Sequence, residues 1–168
     1  MVSTGHIQSS LINRFIVIED YLHLLQELVD YAPDIFFQSS AFSTAFHSCM
    51  TAFTLVHTDV VIAALNLFHT ILTHECLEQT TSLPNFPLYT AAINNALEVD
   101  GFDLVGCLLN GVVGDFEDEA FDRTVAIIRV IASYWPSQLV TWLPTVLQGL
   151  SATTSADSKT QFLSDVTT

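Results

Sequence analysis

The side chains in this sequence that could do chemistry are carboxylates, histidines and one cysteine, gathered in three places. His69, His74, Glu75 and Cys76 come nearest to a metal constellation. Ligand pairs on one helix share a face at spacings of three or four, and the five-residue step from His69 to His74 does not. No second CxxC or HxxxH completes a tetrahedral set, so neither a metal nor another cofactor is expected. A second group is the run Asp115, Glu117, Asp118, Glu119 and Asp122. It lacks the spaced ligands, central glycine and closing glutamate of an EF-hand loop. It fits either a solvated helix start or a surface for a basic peptide. Glu98, Asp100 and Asp103 form the third group, on or near a helix, where they could pair with guanidinium groups or simply keep the surface soluble.

Enzyme signatures are missing. There is no GxSxG elbow, no phosphate-binding P-loop and no GxGxxG at a strand–helix junction. Carboxylates abound, yet nothing in the pattern sets two of them in one cleft with different surroundings. The chain reads as non-catalytic.

The charge balance narrows the partners. Eighteen carboxylates against Arg14, Arg123, Arg129 and Lys159 give a formal net charge of −14. Nucleic-acid binding draws on lysine and arginine neutralising phosphates, and four scattered cations build no such footprint. An anionic membrane surface is disfavoured on the same ground. The field complements a basic protein, although acidity also serves solubility in a chain that is 50% hydrophobic and only 13% charged. Cys49, Cys76 and Cys107 are odd in number and far apart, which suits reduced, buried thiols better than a disulfide framework. The first residues lack the basic start and apolar run of a secretory signal. The most apolar window, Val60 to Leu72, holds Asn66 and His69 and falls short of the roughly 20 residues a membrane span needs.

The elements that must position these groups are helices. Tyr21, Leu24, Leu25, Leu28, Val29 and Ala32 fall on one stripe of a helix over Glu19–Ala32, and Pro33 ends it. Asp34 is expected to cap a second helix running to about Val56, with Phe42, Phe46, Cys49, Phe53 and Val56 inward. Thr58 or Asp59 is expected to cap a third, to about Cys76, apolar nearly all round and hence sandwiched. The span from Glu78 to Pro87 reads as a loop. A fourth helix over Leu88–Val113 is weakened by Gly101, Gly106, Gly111 and Gly114, with a break expected near Asp100–Gly101. Asp115–Glu119 opens a fifth helix carrying Phe121, Val125, Ile128 and Ala132, with Ile127 and Ile131 on a second apolar side. Trp135–Pro136 turns the chain into a sixth, which Pro144 should kink. A polar stretch then precedes a short helix around Phe162, Leu163 and Val166.

This organisation predicts an all-α chain: a lead-in over 1–18, helix pairs over 19–56, 59–113 and 117–150, and a polar linker with a terminal helix over 151–168. Two helices per unit at roughly 40-residue spacing point to an α-solenoid of about three HEAT-like antiparallel pairs, with a closed helical bundle as the alternative.

IEDYLHLLQELVDYAPDIFF (Ile18–Phe37) and YWPSQLVTWLPTVLQGL (Tyr134–Leu150) resemble late HEAT repeats of the importin-β family of nuclear transport receptors. Within that family they look most like the branch of transportin-SR, importin-thirteen and the fungal messenger-RNA transport regulator. KTQFLSDVTT (Lys159–Thr168) is similar to the last short helix of those proteins. The resemblance implies shuttling between nucleus and cytoplasm and a basic protein cargo of the serine/arginine-rich RNA-binding kind. It implies that the first helix of each pair faces outward and the second lines a concave wall. It also implies that the principal site for the GTPase Ran lies in repeats outside this sequence. Glu98, Asp100 and Asp103, with Asp115, Glu117, Asp118 and Glu119, are the candidate cargo contacts.

Overall fold

The computed structural model describes residues 4–78, 83–114 and 116–150, with side chains from Ser10 onward. Among the described residues the fold is all-α, with no strand. Its helices are α1 (Thr4–Tyr31), α2 (Pro33–Phe37), α3 (Phe42–Met50), α4 (Thr58–Leu72), α5 (Phe86–Val113), α6 (Asp118–Tyr134) and α7 (Pro136–Gly149). Short 3-10 turns occupy Thr51–Thr54 and Glu75–Leu77. The expected terminal helix around Phe162 and the linker before it lie outside the described residues.

The helices pack as two rows. α1 lies against α4 and α4 against α6, while α5 lies against α2, α3 and α7. The turn at Thr51–Thr54 touches both α4 and α5, and α6 folds back onto α7 through the Trp135–Pro136 corner. α4 is the sandwiched helix that its sequence predicts. Val60, Ala64, Leu65, Phe68 and Leu72 are fully buried, because α1 and α6 cover opposite sides of it. Each of these except the alanine contributes roughly 1.5–3 kcal/mol over leaving it in water. Thr58–Leu77, 20 residues holding an 18-residue window of mean hydropathy 1.5, is long and apolar enough for a membrane span where the shorter Val60–Leu72 window is not. In this fold 56% of its apolar window is buried against protein.

Aromatic rings bind the rows together. Phe36, Phe37 and Phe42 meet edge to face with centroids 5.2 to 5.4 Å apart. The chain of contacts continues from Phe42 to Phe46 and on to Phe68 of α4, where the rings are perpendicular at 5.0 Å. Such edge-to-face pairs add to the burial they bring. Polar ties fix the register. Trp135 donates Nε1–H to Asn94 Oδ1 at 2.8 Å, Thr90 donates to the Cys76 carbonyl at 2.9 Å, and Arg123 reaches from α6 to Asn66 of α4.

Several expectations are corrected by the structure. α1 begins at Thr4, so most of the stretch expected as a lead-in is helix. Its buried stripe is Leu22, Leu25 and Val29, whereas Tyr21 and Leu24 face solvent. The second helix is not continuous to Val56, since residues 38–41 interrupt it and a 3-10 turn closes it. Asp34 caps nothing. It sits inside α2 and its Oδ1 accepts from Gln38 and Asn85, each at 2.7 Å, and from the Tyr89 hydroxyl. His57 holds the cap position of α4 without a side-chain bond, displacing Thr58 and Asp59 from that role. On α6 the buried positions are Ala120, Thr124, Ile127, Ile128 and Ile131, and Phe121 is exposed.

α5 runs unbroken through the expected break at Asp100–Gly101. Its glycines serve packing. A Cβ on Gly101 would overlap the indole of Trp142, and one on Gly111 would overlap the ring of Phe116. The missing side chains let α7 and the α5–α6 connection close down on α5, which offsets the helical propensity given up there. α7 likewise continues through Pro144, which is exposed.

Candidate functional site

The solvent face of the second row is built by α3, α5 and α7. On α5 the exposed positions recur at helical spacing: Ala91, Asn95, Glu98, Phe102 and, beside them, Val99, Asp103 and Asn110. α3 contributes Ser43, Thr44 and His47, the 3-10 turn after it contributes Thr51, and α7 contributes Gln138, Thr141, Thr145 and Gln148. The wall is polar and mostly uncharged, with Glu98 and Asp103 as its carboxylates on α5.

A groove of about 450 Å³ runs between these helices, lined among others by His47, Met50, Phe102, Asp103, Cys107 and Val146. Gly106 has open space where a side chain would stand, which leaves the middle of the groove clear. Met50, Phe102 and Val146 supply an apolar lining and Asp103 a carboxylate at its edge. That combination suits the apolar stem and cationic head of a lysine or arginine side chain.

Asp100 behaves differently from its neighbours in sequence. It turns inward, its side chain only 8% exposed, and its Oδ1 lies 2.8 Å from Nδ1 of His47, which is 64% exposed. Two residues along a helix point roughly 200° apart, so Asp100 cannot share a face with Glu98. The Asp100 hydrogen bond, then the Asp100 charge and last the Asp103 charge, raise the His47 pKa against an opposing effect of burial. Asp100 is therefore a support for the groove rim rather than a free contact.

The other acidic group sits at the start of α6. Glu117 holds the extended position before the helix, and Asp118 and Glu119 occupy its first turn, where carboxylates favour the positive end of the helix dipole. Glu119 is bound to Arg123 at 2.9 Å, one turn on. Asp115 lies outside the described residues. Glu117 lines a second cavity of about 460 Å³ with Phe53, His57, Val61 and Phe116. Thr54, Cys107 and Asn110 border both cavities, so the two acidic groups flank one continuous stretch of surface. From Asp103 to Asn110 that stretch is about 10 Å along α5.

Of the remaining chemical candidates, His69 and Glu75 are exposed and His74 is engaged. His74 accepts the Cys76 amide N–H at 3.1 Å and packs against Phe37, Phe86 and Tyr89. Burial lowers its pKa despite the nearby Glu75 and Asp30 charges. Among the described residues no three His, Cys, Asp or Glu side chains gather as a metal site would require. Cys49 and Cys76 are buried and Cys107 is half-buried, all as free thiols, and burial pushes Cys49 up to about 12.

Sequence reasoning missed His47, Met50, Phe102 and Thr145 as residues that line the groove with Asp103. The exposed stripe of α5 was readable as helical periodicity, but which side faces water depends on how α3 and α7 flank it. The sequence matches no protein-family model and no curated protein.

Proposed function

We propose that this chain is a non-catalytic binding module, part of a karyopherin-type nuclear import receptor, that holds a basic protein segment along the wall formed by α3, α5 and α7. The observation that carries the proposal is the groove beside Asp103, with apolar walls and a carboxylate edge, in a chain of formal net charge −14. The two rows, α1–α4–α6 and α3–α5–α7, support an α-solenoid of three HEAT-like pairs, because each row is built from alternate members of successive pairs. Long-range attraction brings a cationic chain in, and the groove takes individual lysine or arginine side chains. Serine/arginine-rich RNA-binding proteins are the cargo class that the family resemblance suggests. Such a module shuttles between nucleus and cytoplasm, uses Ran through repeats outside this sequence, and contacts neither nucleic acid nor membrane directly. The cover that α1 and α6 give α4 supports an interior role for the apolar Thr58–Leu77 segment.

A generic helical scaffold unconnected with transport is the second reading, and the neutral Ser/Thr/Asn/Gln character of most of the wall favours it. Titrating a fluorescent arginine–serine repeat peptide into the chain at low and raised salt separates them. The receptor reading expects binding that weakens at least tenfold with salt and with Glu98→Lys/Asp103→Lys. Binding that ignores both, or no binding, leaves the scaffold.

A further inference from the structure

α1 presents two apolar faces, and the fold covers one of them. Leu22, Leu25 and Val29 are buried against the rest of the molecule. About 100° round the helix, Val17, Tyr21, Leu24, Leu28 and Tyr31 follow one another at steps of four, three, four and three, the spacing of a coiled-coil seam. Val17 is 67% exposed, Tyr21 46%, Leu24 54% and Tyr31 85%, and Leu28 is half-buried. The seam extends about 21 Å, and a continuous apolar strip of that length is not ordinary surface scatter.

What borders the seam decides what fits it. On one side lies the covered core face. On the other lie Asp20, Glu27 and Asp30, all exposed. Asp20 and Glu27 have no ion-pair partner among the described residues, and the Asp30 charge acts on His74. Arg14 is the one arginine or lysine in the whole of α1. A second copy of the chain would bring another −14 and the same acidic border, and antiparallel self-pairing would set Asp20 and Glu27 against their own counterparts.

We propose that the outer face of α1, from Val17 to Tyr31, docks an amphipathic helix whose apolar seam is bordered by lysine or arginine. This surface is on the first row, away from the α3–α5–α7 wall, and stands whether or not that wall binds cargo. Two labelled peptides of about three heptads, both with leucine at the seam, test it on the full chain: one with lysine borders, one with glutamate borders. The lysine peptide is expected to bind at least tenfold more tightly than the glutamate peptide. Leu24→Asp should weaken it at least tenfold while circular dichroism stays unchanged, since Leu24 is already exposed. Asp20→Lys/Glu27→Lys should reverse the preference between the two peptides, which keeps the test open if Leu24→Asp misfolds. Asp103→Lys should leave this binding unaltered. The proposal is overturned if neither peptide binds, if binding survives Leu24→Asp in a folded chain, or if border charge is immaterial. It is equally overturned if the chain self-associates through this face, seen as a dimer in sedimentation that Leu24→Asp dissociates.

Discussion

The exposed imidazole of His47 is hydrogen-bonded at 2.8 Å to the nearly buried carboxylate of Asp100, joining α3 to the middle of α5. The bond raises the His47 pKa above the usual value near 6.5, so the folded chain holds this proton more tightly than the unfolded chain does. Its contribution is full below about pH 6.5 and is lost as pH climbs through the raised value. His74 acts oppositely: burial lowers its pKa, so its protonation costs stability as pH falls below that same unfolded value. Thermal melts from pH 5 to 8.5 should show a maximum between the two effects. His47→Gln should flatten the alkaline side and His74→Gln the acid side.

The α5 glycines predict two changes of opposite sign. Gly106→Ala meets open space and should stabilise the chain by about 0.5–1 kcal/mol through helical propensity. Gly101→Ala drives a methyl into the Trp142 ring and should cost about 1–3 kcal/mol. Urea denaturation of the two variants checks both.

Asp34 gathers donors from Gln38, Asn85 and Tyr89, fastening α2 to the beginning of α5. Asp34→Ala should cost about 1–3 kcal/mol, and Asp34→Asn, which keeps an acceptor oxygen, distinctly less. The difference in denaturation midpoints between the two variants is the measurement. Equal losses would mean the charge alone matters.

Thiol chemistry should discriminate the cysteines. With Cys49 pushed up to about 12 and Cys76 buried and raised, neither should react with a disulfide reagent at pH 8 in the folded chain. Cys107 is half-buried, and burial together with the Asp103 charge holds its thiol up as well, so it should react slowly. Unfolding in guanidinium should expose all three.

The helices themselves were legible because apolar spacing, Pro33 and the Trp135–Pro136 corner are local signals that tertiary contacts did not override. The direction each helix faces was less so. Tyr21 and Leu24 share an apolar stripe with Leu25 and Val29, and nothing local says that α4 covers only part of it. Asp34 has the type and position of a cap, yet donors 51 and 55 residues away claim its carboxylate. Gly101 and Gly111 read as weaknesses because the rings that fill their space, Trp142 and Phe116, come from elsewhere in the chain. For the candidate site, Glu98 and Asp103 are both exposed on α5 but five residues apart, about 140° round the helix, so only Asp103 borders the groove, while Asp100 is turned inward to His47.

The close seat of Trp142 on Gly101 also decides what light can report about this molecule. Both indoles of the chain, Trp135 against Asn94 and Trp142 against Gly101, sense the junction of α5 with α7. Their emission should shift when that junction opens and stay silent if α1 peels away from α4. A fluorescence melt and a backbone melt of the same sample can therefore disagree, and the gap between them would measure how independently the far end lets go.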